Sequence, residues 1–344
     1  MLGTLRFTLA VLVVMNHLWL PTANKLGAHA VAGFYVISGY LMTRVVHEIY
    51  HGPDDFRRYL VNRFLCIFPL YWGVVAATAL ALAALPNNFA GISPTIQLNL
   101  DLAGWVANLT LWWLPQASIV LVPPAWSLTI EWTFYLLIGL GFSRRPRLVV
   151  AWWLASVAYT ATLLITAAPF SARYTPPAAA SLFFSTGALL YHLRGRLRWR
   201  TVDTGSWLPL LAAFAVMPLL IERCGGDLRM TGFYGSYAVF IPLFMLSLGA
   251  PSARWFARHD ALLGDLAYPI FLTHYFAAGV TNVLARNALV PFGTAHFLCS
   301  LTACVALSFL IVRFIDPTIG RLRDAIRPAA SPPVDARGVH TARR

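Results

Sequence analysis

Long apolar stretches divide this chain, near residues 4–21, 28–48, 62–85, 124–142, 147–167, 178–193, 206–222, 232–249, 266–285 and 293–315. A predominantly apolar run of about 20 residues marks a membrane-spanning helix. The sequence therefore predicts an all-α, polytopic membrane protein with about ten transmembrane helices. Composition agrees: 58% of the 344 residues are hydrophobic and 11% are charged, where soluble domains carry roughly 25% charge. Mean hydropathy is +0.66. Pro and Gly clusters such as "LPNNFAG", "LVPPAW", "YTPPAA" and "ERCGGD" mark several ends of the runs. The first run is expected to remain as the first helix, because no small-residue cleavage pattern follows "NHLWLPTANK". No internal repeat is evident. One domain is expected over 1–320, with a Pro- and Arg-rich, disordered tail over 321–344.

The basic residues give an orientation. Of the 26 Lys and Arg, only Lys25, Arg173, Arg223, Arg229 and Arg286 fall on one side of this map. The other side holds Arg57, Arg58 and Arg63, then Arg144, Arg145 and Arg147, then the "RGRLRWR" loop, then Arg254, Arg258 and the tail. By the positive-inside rule that side is the cytoplasm and both termini lie there. The loop from Pro86 to Pro123 has no Lys or Arg and is expected outside. The net charge of +13 is thus a topology signal spread over short loops, and it excludes nucleic acid as a partner. The basic loops are expected to attract anionic lipid. The cysteines show no CxxC or His/Cys ligand spacing, so neither disulfides nor a structural metal are expected.

The informative residues are polar groups inside apolar runs. Arg6 and His17 lie in "LRFTLAVLVVMNHLW". Eleven steps on a helix bring them within about 20° of the same face, roughly 16 Å apart along the axis. A buried charge in lipid costs at least about 2.5–3.5 kcal/mol, so such groups usually face protein or a wet cavity. The second run carries Ser38, Gly39 and Arg44 in "FYVISGYLMTRVV". Arg44 lies near the inner end, where it can snorkel to headgroups, and Ser38–Gly39 can also serve close helix packing. The ninth run has His274 in "YPIFLTHYF". Glu131, in "PPAWSLTIEWTFYLL", is the one carboxylate well inside a run. Counted from the outer surface, His17 lies about 6 Å deep and Glu131 about 10 Å deep. The two can meet, and a carboxylate beside an imidazole fixes its tautomer for service as a general base. Arg6 sits near the cytoplasmic end, placed to meet an anionic donor arriving from inside.

"LRFTLAVLVVMNH", "FYVISGYLM", "NRFLCIFPLYW" and "PAWSLTIEWTFYL", in that order over about the first 140 residues, resemble the membrane-bound acyltransferase-3 family. The resemblance implies transfer of an acetyl or other short acyl group, typically from acyl-CoA as co-substrate, to a hydroxyl of a surface carbohydrate, glycolipid or similar acceptor. It implies no resident cofactor, a multi-pass protein of the cell membrane (inner or plasma), and the stand-alone form with no SGNH-type domain. Within it, Arg6 and His17 match the Arg/His pair, and Glu131 matches the acid of Trp-Ser-Leu-x-x-Glu. His17 would be the general base and Glu131 would orient it. Arg6, Arg63 and Arg58 would hold donor phosphates, and Ser38, Gly39, Trp126, Ser127 and His274 would line the pocket. One departure stands out. The family's Arg-x-x-Arg reads "RFLC" here, with Cys66 where a second arginine is expected. The competing expectation is a small-anion transporter using a His/Glu proton relay, against which the absence of visible repeats counts.

Overall fold

The computed structural model describes residues 1–22, 26–50, 52, 55–89, 92–112, 114, 117–196, 204–223, 228–249 and 254–328. Among them the chain is helical, with no strand. Each apolar stretch forms a helix: α1 (Leu2–Leu18), α2 (Gly27–Glu48), α3 (Asp55–Ala84), with a short α4 (Pro86–Phe89) and α5 (Leu102–Thr110) before α6 (Trp126–Gly139). Then come α7 (Pro146–Ile165), the short α8 (Phe170–Tyr174), α9 (Pro177–Leu193), α10 (Thr204–Arg223), α11 (Leu228–Ser247), α12 (Arg254–Leu284), α13 (Thr294–Phe314) and α14 (Asp316–Ile326). By length and composition α3, α7 and α13 are long and apolar enough to cross a membrane. Leu2–Leu18, Trp207–Leu220 and Gly232–Ser247 are shorter apolar helices.

Local chemistry sets the starts and stops. Pro146 and Pro177 stand in the first turns of α7 and α9, where a missing N–H costs nothing. Asp101 caps α5 by accepting from the Gly104 amide at 2.7 Å. Gly141, at φ +103°, supplies the left-handed residue just after α6. Two helices begin well before their apolar runs, α3 at Asp55 and α12 at Arg254. Their extra turns carry charge and lie outside the apolar pattern. The expected boundary at 320 also moves, because α14 continues to Ile326. A Pro in its first turn and an acid at its start give α14 a proper beginning. The remainder of the expected tail, from 329, lies outside the described residues.

Packing fixes which helices are neighbours. α1 lies along α12 and α2, α2 lies along α9, and α6 packs on α2, α3 and α9. Gly39 and Gly187 make the α2–α9 crossing. A Cβ on Gly39 would run into the backbone of Phe184, and one on Gly187 into the carbonyl of Val36. At its first turn α1 is held by Asp260 of α12, whose carboxylate accepts from the amides of Gly3 at 3.0 Å and Thr4 at 2.8 Å and from the Thr4 hydroxyl at 2.6 Å. α1 and α12 therefore run side by side in the same direction, residue 3 beside 260 and residue 17 beside 274. The segment between α3 and α6 is tied down by buried Asn108, whose amide donates to the carbonyls of Gly104 (2.9 Å) and Ile119 (3.0 Å) and accepts from the amide of Leu121 (2.9 Å).

Candidate active site

A cavity of about 620 Å³ opens between α1, α2, α3, α6, α12 and α14. Its polar wall is rich in guanidinium: Arg6 from α1, Arg63 from α3 and Arg323 from α14. Asp265 and Asp316 line it as well. Arg63 is 9% exposed, its Nη1 lies 3.4 Å from the Met42 sulfur, and a second nitrogen donates to the Asn62 side chain. Its Nε is buried without a hydrogen-bond partner. Such an orphaned donor on a charged group is costly, and a phosphate oxygen entering the cavity would satisfy it. Cys66 lines the same wall, with its sulfur 3.8 Å from the Asn62 side-chain oxygen. In α14, burial and the neighbouring charge of Asp265 hold the Asp316 carboxyl above its ordinary range, against the pull of Arg323.

Glu131 faces this cavity and accepts a hydrogen bond from the Ser38 hydroxyl at 2.5 Å. Ser127, one turn earlier on α6, also lines it while donating to the carbonyl of Pro124 at 3.0 Å. Five residues expected at the site do not line the cavity, and His17, described below, is one of them. Gly39 is used for helix packing, as above. Trp126 meets Tyr174 edge to face at 5.1 Å, away from the cavity wall. Arg58 is largely exposed and lies 3.7 Å from Asp55. His274 is fully buried on α12, behind the wall.

His17 finds a partner other than the one expected. Its Nδ1 lies 3.0 Å from Nε2 of His274, and the two rings are parallel within 3°. Nδ1 of His274 lies 2.8 Å from the carbonyl oxygen of Phe271. A carbonyl can only accept, so Nδ1 of His274 carries a hydrogen and its Nε2, in the neutral ring, is an acceptor. His17 must then donate from Nδ1, which leaves its Nε2 with a free lone pair. The hydrogen bond expected from His17 to Glu131 is replaced by this chain. Depth below the surface placed the two at compatible heights, but α2 packs against both α1 and α6, and its Ser38 takes the carboxylate.

One lining residue, Phe271, also contacts His274. Phe34 and Phe271 line the cavity, edge to face with centroids 6.0 Å apart, and it is the Phe271 carbonyl that holds His274. Arg6 and His17 thus face the same neighbour, α12, from opposite ends of α1; Arg6 and Phe271 line the cavity, and the two histidines do not. Among the described residues no group of three or more His, Cys, Asp or Glu could hold a metal ion.

A family model described as an acyltransferase domain matches residues 2–313. The chain belongs to the acyltransferase-3 family. It is similar to the exopolysaccharide production protein ExoZ of Rhizobium meliloti (strain 1021), 29% identical over 274 residues, covering 74% of this chain and 78% of that protein. It is also similar to the acyltransferase MdmB of Streptomyces mycarofaciens, 26% identical over an alignment of 354 positions, covering 90% of this chain and 85% of that one. No solved structure is significantly similar to it. As an acyltransferase-3 member the chain is an enzyme that transfers acyl groups, and it is a membrane protein. The transporter expectation gives way to this.

Arg323, Asp265 and Asp316 are the charged cavity residues that sequence reasoning missed. A signal for Arg323 exists: "DPTIGRLRDAI" opens with an acid and a first-turn proline, as a helix does.

Proposed function

We propose that this acyltransferase spans the cell membrane about ten times with both termini in the cytoplasm, and moves a short acyl group from acyl-CoA to a hydroxyl of a carbohydrate or glycolipid acceptor. The basic loops favour that orientation, and the cavity with its arginines lies at the end of α1 that this orientation turns inward. Arg6 and Arg63 bind the phosphates of the donor. Glu131, bonded to Ser38, balances their charge across the cavity rather than orienting the imidazole. The pantetheine arm follows the cavity toward Phe34 and Phe271, which brings the thioester close to the histidines. The name of one relative, an exopolysaccharide production protein, supports a carbohydrate acceptor.

The observation that carries the mechanism is the Phe271–His274–His17 chain. His17 Nε2 takes the proton of the acceptor hydroxyl as that oxygen attacks the thioester carbonyl. The new C–O bond forms and the C–S bond breaks. The thiolate leaves and receives the proton back from the imidazolium, so the reaction ends with an ester, free coenzyme A and neutral His17. His274 holds the hydrogen of His17 on Nδ1 throughout, so Nε2 is the nitrogen that takes up and returns the proton. Incubating the purified protein with acetyl-CoA and candidate glycans, and measuring free coenzyme A, tests this reading. Acceptor-dependent release is expected. A protein that folds and binds coenzyme A yet releases none with any glycan would contradict the carbohydrate acceptor.

A further inference from the structure

α14 follows the last apolar helix, carries four charged residues among its eleven and buries none of its residues fully, yet it packs on α3 and α13. It also sends a guanidinium into the cavity. Arg323 lines the wall that Arg63 and Cys66 line, and Asn62 joins them: its side-chain oxygen takes hydrogen bonds from Arg63 and Cys66, and its amide nitrogen lies 3.5 Å from the Arg323 carbonyl. Arg323 has a buried Nε with no hydrogen-bond partner. Asp265 and Asp316 feel its charge, but among the described residues neither carboxylate forms an ion pair with it. Two arginines on one wall, each with an orphaned Nε, and no carboxylate seated on either, describe a place for an anion with several oxygens.

We propose that Arg323 is a third donor-binding residue, supplying from α14 the guanidinium that the wall lacks at Cys66, and that it takes a phosphate of the coenzyme A moiety. This rests on the reading of the cavity as the donor site. The planar fork of an arginine suits a diphosphate or a ribose phosphate by paired hydrogen bonds, and a neutral thiol at 66 gives neither charge nor fork. The donor pocket is then closed by a segment outside the apolar core, so donor affinity depends on the docking of α14.

Titration of coenzyme A into the purified full chain tests this. Arg323→Ala is expected to weaken binding about tenfold or more, by the loss of charge-assisted hydrogen bonds, with an unchanged melting temperature in the absence of ligand. Arg323→Lys, which keeps the charge, is expected to lose less. Adding Cys66→Arg to Arg323→Ala is expected to restore most of the affinity, a rescue that a purely structural role for Arg323 would not give. In turnover the loss should appear in the donor KM with kcat retained. Wild-type affinity in Arg323→Ala, beside weakened binding in Arg63→Ala, would overturn the role of Arg323 and leave the donor site standing. Failure of the folded wild type to bind coenzyme A would overturn the donor site itself and this inference with it.

Discussion

Nδ1 of His17 and Nε2 of His274 lie 3.0 Å apart, joining α1 to α12 across 257 positions of sequence. Because the far side of His274 is bound to a carbonyl, this contact sets which nitrogen of His17 is basic. On the proposed mechanism His274 is a positioning residue. His274→Ala should lower kcat by about 10- to 100-fold, part of the 10²–10⁴ that a general base contributes, with the donor KM nearly unchanged. His274→Gln, whose amide oxygen can replace Nε2 as acceptor, should recover part of the rate. The pH–rate profiles of the three proteins check this, because a change in the basicity of His17 moves the profile whereas a packing defect only lowers it.

Crossing helices give a stability prediction. Gly39→Ala or Gly187→Ala would place a methyl group against backbone of the facing helix, where only a shift of α2 against α9 could make room. Each should destabilise the protein by about 1–3 kcal/mol, seen as a lower melting temperature in detergent. A neutral outcome at both positions would show that these helices are not held in contact here.

Much of this fold was legible in the sequence, and the limits are physical. Every apolar stretch became a helix because each was apolar over several turns, even where a proline stands inside it, as Pro69, Pro242 and Pro269 do. α14 stayed hidden because an exposed, charged helix has no apolar signal, and with it went Arg323. Helix periodicity put Arg6 and His17 on one face, and both do face α12. Depth along the membrane normal supplied only one coordinate. It allowed Glu131 beside His17 but said nothing of which helix stands next to α1, and that is decided by packing over the whole chain. Gly39 was ambiguous for a related reason: the same Ser-Gly pair splits its duties, Ser38 toward the cavity and Gly39 toward α9.

Asp260 predicts an acid sensitivity. Burial alone would raise its carboxyl, but hydrogen bonds from Thr4 and Gly3 outweigh this and hold it below its ordinary range. A carboxylate lowered on folding stabilises the fold above its unfolded pKa, and that contribution is lost as pH falls through the folded value. Stability of the wild type should therefore drop on acidification below the ordinary carboxylate range. Asp260→Asn should be less stable near neutrality, by about 1 kcal/mol as for a lost helix cap, and should show a weaker acid dependence. Melting temperature against pH for the two proteins measures this.

Asp316 predicts the pH dependence of donor binding. Its raised carboxyl is charged at high pH, where it repels phosphate, and becomes neutral as pH falls through its range. Affinity for coenzyme A should rise on that descent. Asp316→Asn should bind coenzyme A more tightly at neutral pH and lose part of the dependence, as read by titration at several pH values.

Cysteine accessibility in intact cells tests the orientation. Single cysteines placed over 143–147 and 194–200 should be labelled only after the membrane is opened, and those over 86–123 should be labelled from outside. The reverse pattern would turn the arginine cavity away from the cytoplasm and remove the route for the donor.

The central claim is that His17 is the base of acyl transfer. Its most direct test is single-turnover transfer from acetyl-CoA by the purified wild type and by His17→Gln, with coenzyme A affinity measured on the same samples. The account predicts unchanged affinity and a rate constant lowered by at least about 100-fold in the variant. Transfer at the wild-type rate by a folded His17→Gln protein would contradict it.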